Sequence, residues 1–561
     1  MSFETEGQAL LNVFSSLLSF LQLNGCFANG QRLKWALHLC MLLPMAPYLI
    51  NLVSIYGAQH NAPAFSQLEP HPAQTLAARS KEYFRSVLSN QSSTYEAAYQ
   101  EYKRRYTIVP PQGFQEWYKM ANLANIPIID EYDSIHHSTA PLLSLSGKQI
   151  QKTILQTYQQ RGADLWLCQF SKASSSTQCR HPFRTFDRHI SLLFNTLLAN
   201  VTDLPDVQFL VNHIDEPRVV PHTHKAGSSQ YQSVAIQDYS RKPTWDLLTE
   251  VCSWDNKEAD EMDDTEFFGL PFVADISSAK DLCQHPEYSH RYGLFVSPVS
   301  FRPIRGPVPV FSTGTLSTMG DIMFPSPAYI EKEFLYDASK DIDWEKKQHN
   351  LYWAGSTTGG FANKTNWPLF HRQRFVEIGQ NLKKQNYYLR KTPGGIKKVM
   401  SPFRNGRLFH ISFTRIFQCS WKVCHDQHAY FRTRAWADKD EALKSTLAFD
   451  IDGNGISGRY YKLLASNSVP LKQTLLREWH DDRLIPWLHY IPVSQSMEEL
   501  PELVFYLTST NSGRELSRQI AEAGKKWYSQ AFRQVDLTIY TYRLLLEMAR
   551  LQDLLREAGS G

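Results

Sequence analysis

The stretch Asp452-Gly-Asn-Gly-Ile-Ser-Gly-Arg459 sets three glycines, a serine, an asparagine and an arginine between two apolar runs. The pattern predicts a buried strand, a turn and a helix. That is the turn at which α/β folds hold the phosphates of a nucleotide. Gly453, Gly455 and Gly458 satisfy G-x-G-x-x-G, and Glu478 follows Gly458 by 20 residues, the spacing of a dinucleotide fingerprint. Arg459 points to a different chemistry. In the first turn of a helix, its guanidinium and the helix dipole would together hold a diphosphate. Ser457 could cap that helix or donate to a phosphate. Asp450 and Asp452 share one face of a strand, where they could take a sugar hydroxyl or a metal, although their charge opposes a pyrophosphate. Asp-x-Asp is a common chance pair, and no metal is expected here. A tight turn that needs glycine only for backbone geometry would give the same spacing.

Two more strand ends carry polar residues. Asp206–Ile214 is an apolar run ended by Asp215-Glu-Pro217, and Leu351–Ala354 runs into Gly355-Ser-Thr-Thr-Gly-Gly360. Ligands of open α/β sheets bind at the carboxyl ends of strands, so a cleft between two such units would gather all three ends. Asp215 at a strand end suits a general base open to the cleft. Glu216 is the alternative, facing the opposite side of an extended segment.

The elements that must position these residues are predicted in series. Residues 1–60 form a membrane anchor of one or two segments. Trp35–Ala58 has no charged residue over 24 positions, and a less apolar charge-free window spans Gly7–Gln31. Arg32 and Lys34 lie between the windows, so the positive-inside rule places everything after residue 60 in a lumen. Residues 61–150 read as a stem and helical region, with helices near 80–105 and 113–124; another lies near 149–159. A first α/β domain spans 151–345, a second 346–510, and helices follow over 511–561. The acidic run Asp255–Glu266 reads as a solvated loop, and His222 and His224 lack a third ligand.

Composition bounds the rest. A net charge of +4, with no basic run among aromatics, excludes nucleic acid as a partner. Six of the eight cysteines form three local pairs, Cys168/Cys179, Cys252/Cys283 and Cys419/Cys424. None has Cys-x-x-Cys spacing, and disulfides of an oxidising lumen suit them better than zinc. The sequons at Asn90, Asn200 and Asn363 agree with that compartment.

Taken together, Phe449–Val493 with SNSVPLKQ, REWHDDRLIPW and LHYIPV resembles glycosyltransferase family 90, the capsule-associated and protein O-glucosyltransferase family. The likeness extends to Leu351–Gly360, Phe370–Phe375, Pro309–Ser312 and Asp321–Pro325. Arg104–Tyr106, Pro110–Phe114 and Ile129–Asp133 resemble its fungal capsule-associated branch. The resemblance implies a GT-B fold of two Rossmann-like domains facing a cleft. It implies an inverting transfer of xylose or glucose from a UDP-sugar co-substrate, with no cofactor or metal required. Asp215 would be the base. Ser356, Arg372 or Arg374, and Asn454, Gly455, Ile456, Ser457, Gly458 and Arg459 would bind the donor. Arg180, His181, Pro182, Phe183 and Arg184 fall where relatives touch their acceptor. Ala354 stands where protein-glucosylating relatives have arginine, and their Gly-Gly-Pro segment is missing after Asp321. The acceptor is therefore expected to be a polysaccharide, glycolipid or glycoprotein glycan, met in the Golgi or endoplasmic reticulum. The competing readings are a nicotinamide oxidoreductase using the glycine loop and a silent carbohydrate-binding relative.

Overall fold

The computed structural model describes residues 70–221, 234–253 and 267–559, with Leu18 and Gln22 as isolated positions. The two N-terminal windows otherwise lie outside the described residues. So do the pair His222/His224 and the acidic run Asp255–Glu266. No helix among the described residues is long and apolar enough to cross a membrane.

Two five-stranded sheets carry the architecture. The first contains β1 (Trp166–Ser171), β2 (Ser176–Arg180), β3 (Val207–Val211), β4 (Val310–Ser312) and β5 (Ile322–Met323), in the order β2-β1-β3-β4-β5. Only β3, β4 and β5 run parallel; β1 is antiparallel to both β2 and β3. This unit is therefore mixed rather than the parallel Rossmann-like sheet expected. The reason is local: β1 and β2 are joined by a four-residue turn, too short for a parallel crossover.

The second sheet contains β6 (Gln348–Ser356), β7 (Phe409–Arg415), β8 (Ser445–Ile451), β9 (Val469–Gln473) and β10 (Ile491–Pro492), ordered β7-β6-β8-β9-β10. All pairings are parallel. Strands β8 (STLAFDI) and β9 (VPLKQ) are buried at every position, as in a parallel sheet covered on both faces, and their charged Asp450 and Lys472 are buried as a pair. Counted within the sheet, the order is 2-1-3-4-5. After β6 the chain moves to one side and after β8 to the other, so the loops leaving these two strands diverge. That divergence is the switch point at which doubly wound sheets open a crevice. The two loops are 356–360 and 452–459.

The helices are not a separate stem. The helical region expected over 80–105 consists of two helices, Pro72–Ser89 and Tyr95–Tyr106, because Thr94 caps a new start by accepting from the Ala97 amide at 3.2 Å. Trp117, Tyr102 and Phe114 are buried in the core of the first sheet. The last helix, Gln534–Leu551, returns to that same core. Its Ile539 carbonyl accepts from Trp117 Nε1 at 3.0 Å, and Tyr540 donates to the Met323 carbonyl at 3.1 Å. His71 instead stacks on Tyr506 of the second unit at 3.7 Å. The helices before residue 160 thus contact both units, the later ones the first and His71 the second. Three disulfides join the pairs read from spacing, Cys168–Cys179, Cys252–Cys283 and Cys419–Cys424.

Candidate active site

The crevice loops are built around Arg372, the second residue of helix His371–Gly379. Its guanidinium donates to the carbonyls of Asp452 (2.7 Å), Ser356 (3.1 Å) and Ile451 (3.1 Å) and to Thr358 Oγ1 (2.6 Å). One buried cation thereby fixes both strand ends. Burial, with Arg459 nearby, lowers its pKa to about 10, so it stays charged. Arg372 was expected to bind the donor directly; it stands behind the loops and shapes them. Arg374, the other expected donor arginine, donates to the carbonyls of Arg291, Gln495 and Ser496 at 2.8–3.1 Å and braces a different junction.

His371 supports the same turn. Its Nδ1 accepts from the Gly293 amide at 3.4 Å, which leaves Nε2–H to donate to the Asp452 carbonyl at 2.9 Å. Burial drives its pKa down to about 3, so the ring is neutral. Gly359 has φ +120°, and a side chain there would collide with the His371 ring, so this position requires glycine. Asn454 Oδ1 accepts from the Gly359 amide at 3.0 Å and joins the two loops.

The acidic pair is not available to a metal. Asp452 is buried and accepts from Tyr292 (2.8 Å), Thr474 (2.8 Å) and the Leu475 amide (3.2 Å). Burial lifts its pKa to about 6. Asp450 lies opposite Lys472 across β8 and β9 and pairs with it at 3.0 Å. Lys472 also meets Glu478 at 3.1 Å and sits 3.8 Å over the Tyr460 ring. This buried cluster holds the acids' charge away from a phosphate. Glu478 is wholly buried and bonded to Tyr329 as well, so it cannot reach a ribose hydroxyl. The acidic partner of the dinucleotide fingerprint is thus already engaged elsewhere.

The glycine loop itself faces in several directions. Ile456 packs against Gly314 of the first unit, and Gly458 against Ala328 and Phe334. The helix after the loop is only Tyr460–Leu464, and its N-cap is Arg459, not Ser457. The expected helix dipole is correspondingly short, which leaves Arg459 as the main cation of the loop. Arg459 donates to the Ala354 carbonyl at 2.9 Å and is held beside the end of β6. Ser356 is the last residue of β6, its Oγ 3.4 Å from Thr358 Oγ1. Arg459, Ser356 and Asn454 thus bring a guanidinium, a hydroxyl and an amide to these two loops.

Asp215 closes the crevice from the first unit. Its backbone lies against Gly455 so tightly that a Cβ there would sit 2.8 Å from the Asp215 carbonyl carbon. Asn454 Nδ2 lies 3.5 Å from Asp215 Oδ2. The turn is shaped by Asn212, whose amide donates to the Glu216 carbonyl at 2.8 Å and whose Oδ1 accepts from Ile214 N at 3.1 Å. The Asp215 side chain is 53% exposed and open to solvent. Glu216 points inward, 2% exposed, and burial followed by the neighbouring Asp215 charge raises its pKa to about 8. Of these two acids, Asp215 is the one with an exposed carboxylate.

The segment expected to touch the acceptor flanks this end of the first sheet. Phe183 and Pro182 are exposed, and Arg180 lies 5.9 Å from the Tyr158 ring centroid. Arg184 grips Asp164 with two bonds of 2.8 Å. His181 Nε2 lies 3.1 Å from Asp164, and His213 Nε2 lies 3.9 Å from it. Asp164, His181 and His213 lie close enough to hold an ion. However, His181 Nδ1 accepts from the Phe183 and Arg184 amides at 3.3 and 3.1 Å, so the proton is on Nε2, the atom that faces Asp164. A metal-bound histidine needs the reverse arrangement. The group is a hydrogen-bonded brace for the exposed segment. Sequence reading missed Asp164, Asn212, Tyr292, His371 and Lys472. Each is a buried or, for Asp164, half-buried polar residue with a partner distant in sequence, and no local spacing marks it.

Comparison with known proteins gives a consistent result. Residues 403–558 match the family described as Glycosyl transferase family 90, a stretch that includes the 452–459 loop. The chain is 22% identical over 269 residues to Protein O-glucosyltransferase 1 of Rattus norvegicus, covering 43% of this chain and 57% of the relative. The same values hold for the proteins of that name from Homo sapiens and Mus musculus. The chain spans little more than half the length of these curated relatives.

Proposed function

The chain belongs to glycosyl transferase family 90 through its segment 403–558, and from that premise we propose that it is an inverting glycosyltransferase of GT-B architecture acting on a UDP-sugar. The observation that carries the reading is the meeting of Asp215 with the 452–459 loop at the switch point of the second sheet. In this reading Asp215 accepts the proton of an acceptor hydroxyl. The hydroxyl oxygen forms a bond to the anomeric carbon as the bond from that carbon to the diphosphate oxygen breaks. The electron pair leaves with UDP. Arg459, Ser356 and the Asn454 amide face the charge that develops there, and this supplies the stabilisation with the chain's own groups. UDP-xylose and UDP-glucose are the donors proposed, with a hydroxyl of a glycan or glycoprotein as acceptor. A secretory-pathway lumen is the proposed site, supported by three disulfides and by sequon asparagines that are all exposed.

Incubating the protein with a panel of UDP-sugars, and reading free UDP, tests the activity. Release with UDP-xylose or UDP-glucose supports it. Release with neither, in a protein that binds UDP, would leave a silent binding relative instead.

A further inference from the structure

We propose that Arg188 is the positioning residue of the base, holding the His213–Asp215 strand end from a strained turn. This rests on the reading of Asp215 as the base. Asp187-Arg188-His189 precedes the helix Ile190–Leu198. Arg188 has φ +48° and His189 φ +66°, two consecutive side-chain-bearing residues in the left-handed region. L-residues rarely adopt it singly, and a pair needs support from its surroundings.

The support is visible. Asp187 Oδ2 accepts from the Ser191 amide at 2.8 Å and from its hydroxyl, and the Asp187 carbonyl accepts from Ile190 N at 3.1 Å. Ile190, Leu193, Phe194 and Leu197 are buried and fix the helix to the first sheet. His189 Nδ1 lies 3.5 Å from Glu331 on the other flank.

This turn aims Arg188 at the base. Its NH1 donates to the His213 carbonyl at 3.0 Å and lies 3.6 Å from Asp215 Oδ1. Asn454 Nδ2 faces the other oxygen, Oδ2, at 3.5 Å. The carboxylate therefore stands between a cation of the first unit and an amide of the donor loop. The pair is open, with Arg188 60% and Asp215 53% exposed, and such pairs add little to folding stability. The strained turn is accounted for by aim instead, as strain held at a functional site. When donor and acceptor displace water, the pair strengthens and fixes the carboxylate rotamer while a lone pair remains for the acceptor hydroxyl. The neighbouring arginine cannot substitute, since Arg184 is engaged with Asp164.

Steady-state UDP release from the whole chain, with calorimetric UDP affinity, tests this on Arg188→Gln, Arg188→Lys and Asp215→Asn. Arg188→Gln should lower kcat about 10- to 100-fold with UDP Kd within about twofold of wild type. Arg188→Lys should recover part of the loss, because it restores the charge but not the fork. Arg188→Gln turning over within twofold of wild type overturns the proposal. A parallel loss of kcat and UDP affinity also overturns it, making Arg188 a donor ligand. Asp215→Asn separates the two readings. If it is inactive while Arg188→Gln is fully active, only the role of Arg188 fails. If Asp215→Asn keeps its activity, the base assignment fails and takes this proposal with it.

Discussion

Gly455→Ala tests what the glycine loop is for. In a dinucleotide fingerprint the second glycine lets the backbone approach a pyrophosphate. Here it lets the loop approach Asp215. An added Cβ would lie 2.8 Å from the Asp215 carbonyl carbon, 3.2 Å from its Cα and closer still to its oxygen. All three are backbone atoms, so no side chain can swing aside. Ordinary contact begins near 3.4 Å, so the loop and the strand end must part by about 0.6 Å at the carbon and by more at the oxygen. Misplacement of about 1 Å costs on the order of 100-fold in rate. A fall in kcat of about 10- to 100-fold is expected, with about 1–3 kcal/mol lost from overpacking. UDP affinity should change much less, because Arg459 and Ser356 lie away from the clash. Gly453→Ala is the control. The atoms nearest its Cβ would be side-chain atoms, of Thr358 at 3.1 Å and Arg372 at 3.2 Å, so its effect should be several-fold smaller. The assay is UDP release with thermal unfolding and UDP calorimetry. Wild-type kcat in Gly455→Ala, or loss of UDP binding with kcat preserved at saturation, would refute the reasoning.

Further outcomes follow from the same geometry. Arg372→Lys cannot reproduce a fork to four acceptors; losing two buried hydrogen bonds to a charged group should cost about 3 kcal/mol and weaken UDP binding, read by denaturant unfolding and calorimetry. Arg459→Ala should weaken UDP binding with little loss of fold, and unchanged UDP affinity would remove Arg459 from the site. Burial raises the Glu216 pKa from 4.5 to about 8. Between those values the unfolded chain is ionised there and the folded chain is not, so stability falls as pH rises across that window and levels off above it. Glu216→Gln should flatten that slope in urea unfolding measured from pH 5 to 8.5. Expressed through a eukaryotic secretory pathway, the chain should lose mass on N-glycosidase treatment, and Asn→Gln at positions 90, 200 and 363 should reduce that loss.

The strand ends were legible because they combine a local apolar run with a local turn, and sequence spacing reports both. Asp215, the 355–360 loop and the 452–459 loop were singled out that way, and the sheet order then brings the last two to one switch point. The inward turn of Glu216 was also readable, since adjacent residues of an extended segment face opposite sides. The glycine pattern was misleading for a physical reason. A glycine needed for a phosphate and a glycine needed for a distant backbone segment have the same sequence signature. Arg372 was placed on the donor for a similar reason. Its role depends on four acceptors contributed by both loops, none adjacent to it in sequence. The helices before residue 160 were read as a stem because their aromatic faces find partners in distant segments, among them Trp527 and the last helix, which local periodicity cannot show.

The central claim is that Asp215 takes the acceptor's proton while the loops of the second sheet hold the nucleotide. UDP calorimetry and sugar transfer, measured together on Asp215→Asn, test it most directly. The account predicts UDP affinity within about twofold of wild type and transfer reduced by at least about 1000-fold, in line with loss of an essential proton acceptor. Substantial transfer by Asp215→Asn, at a rate within about tenfold of wild type, would contradict it.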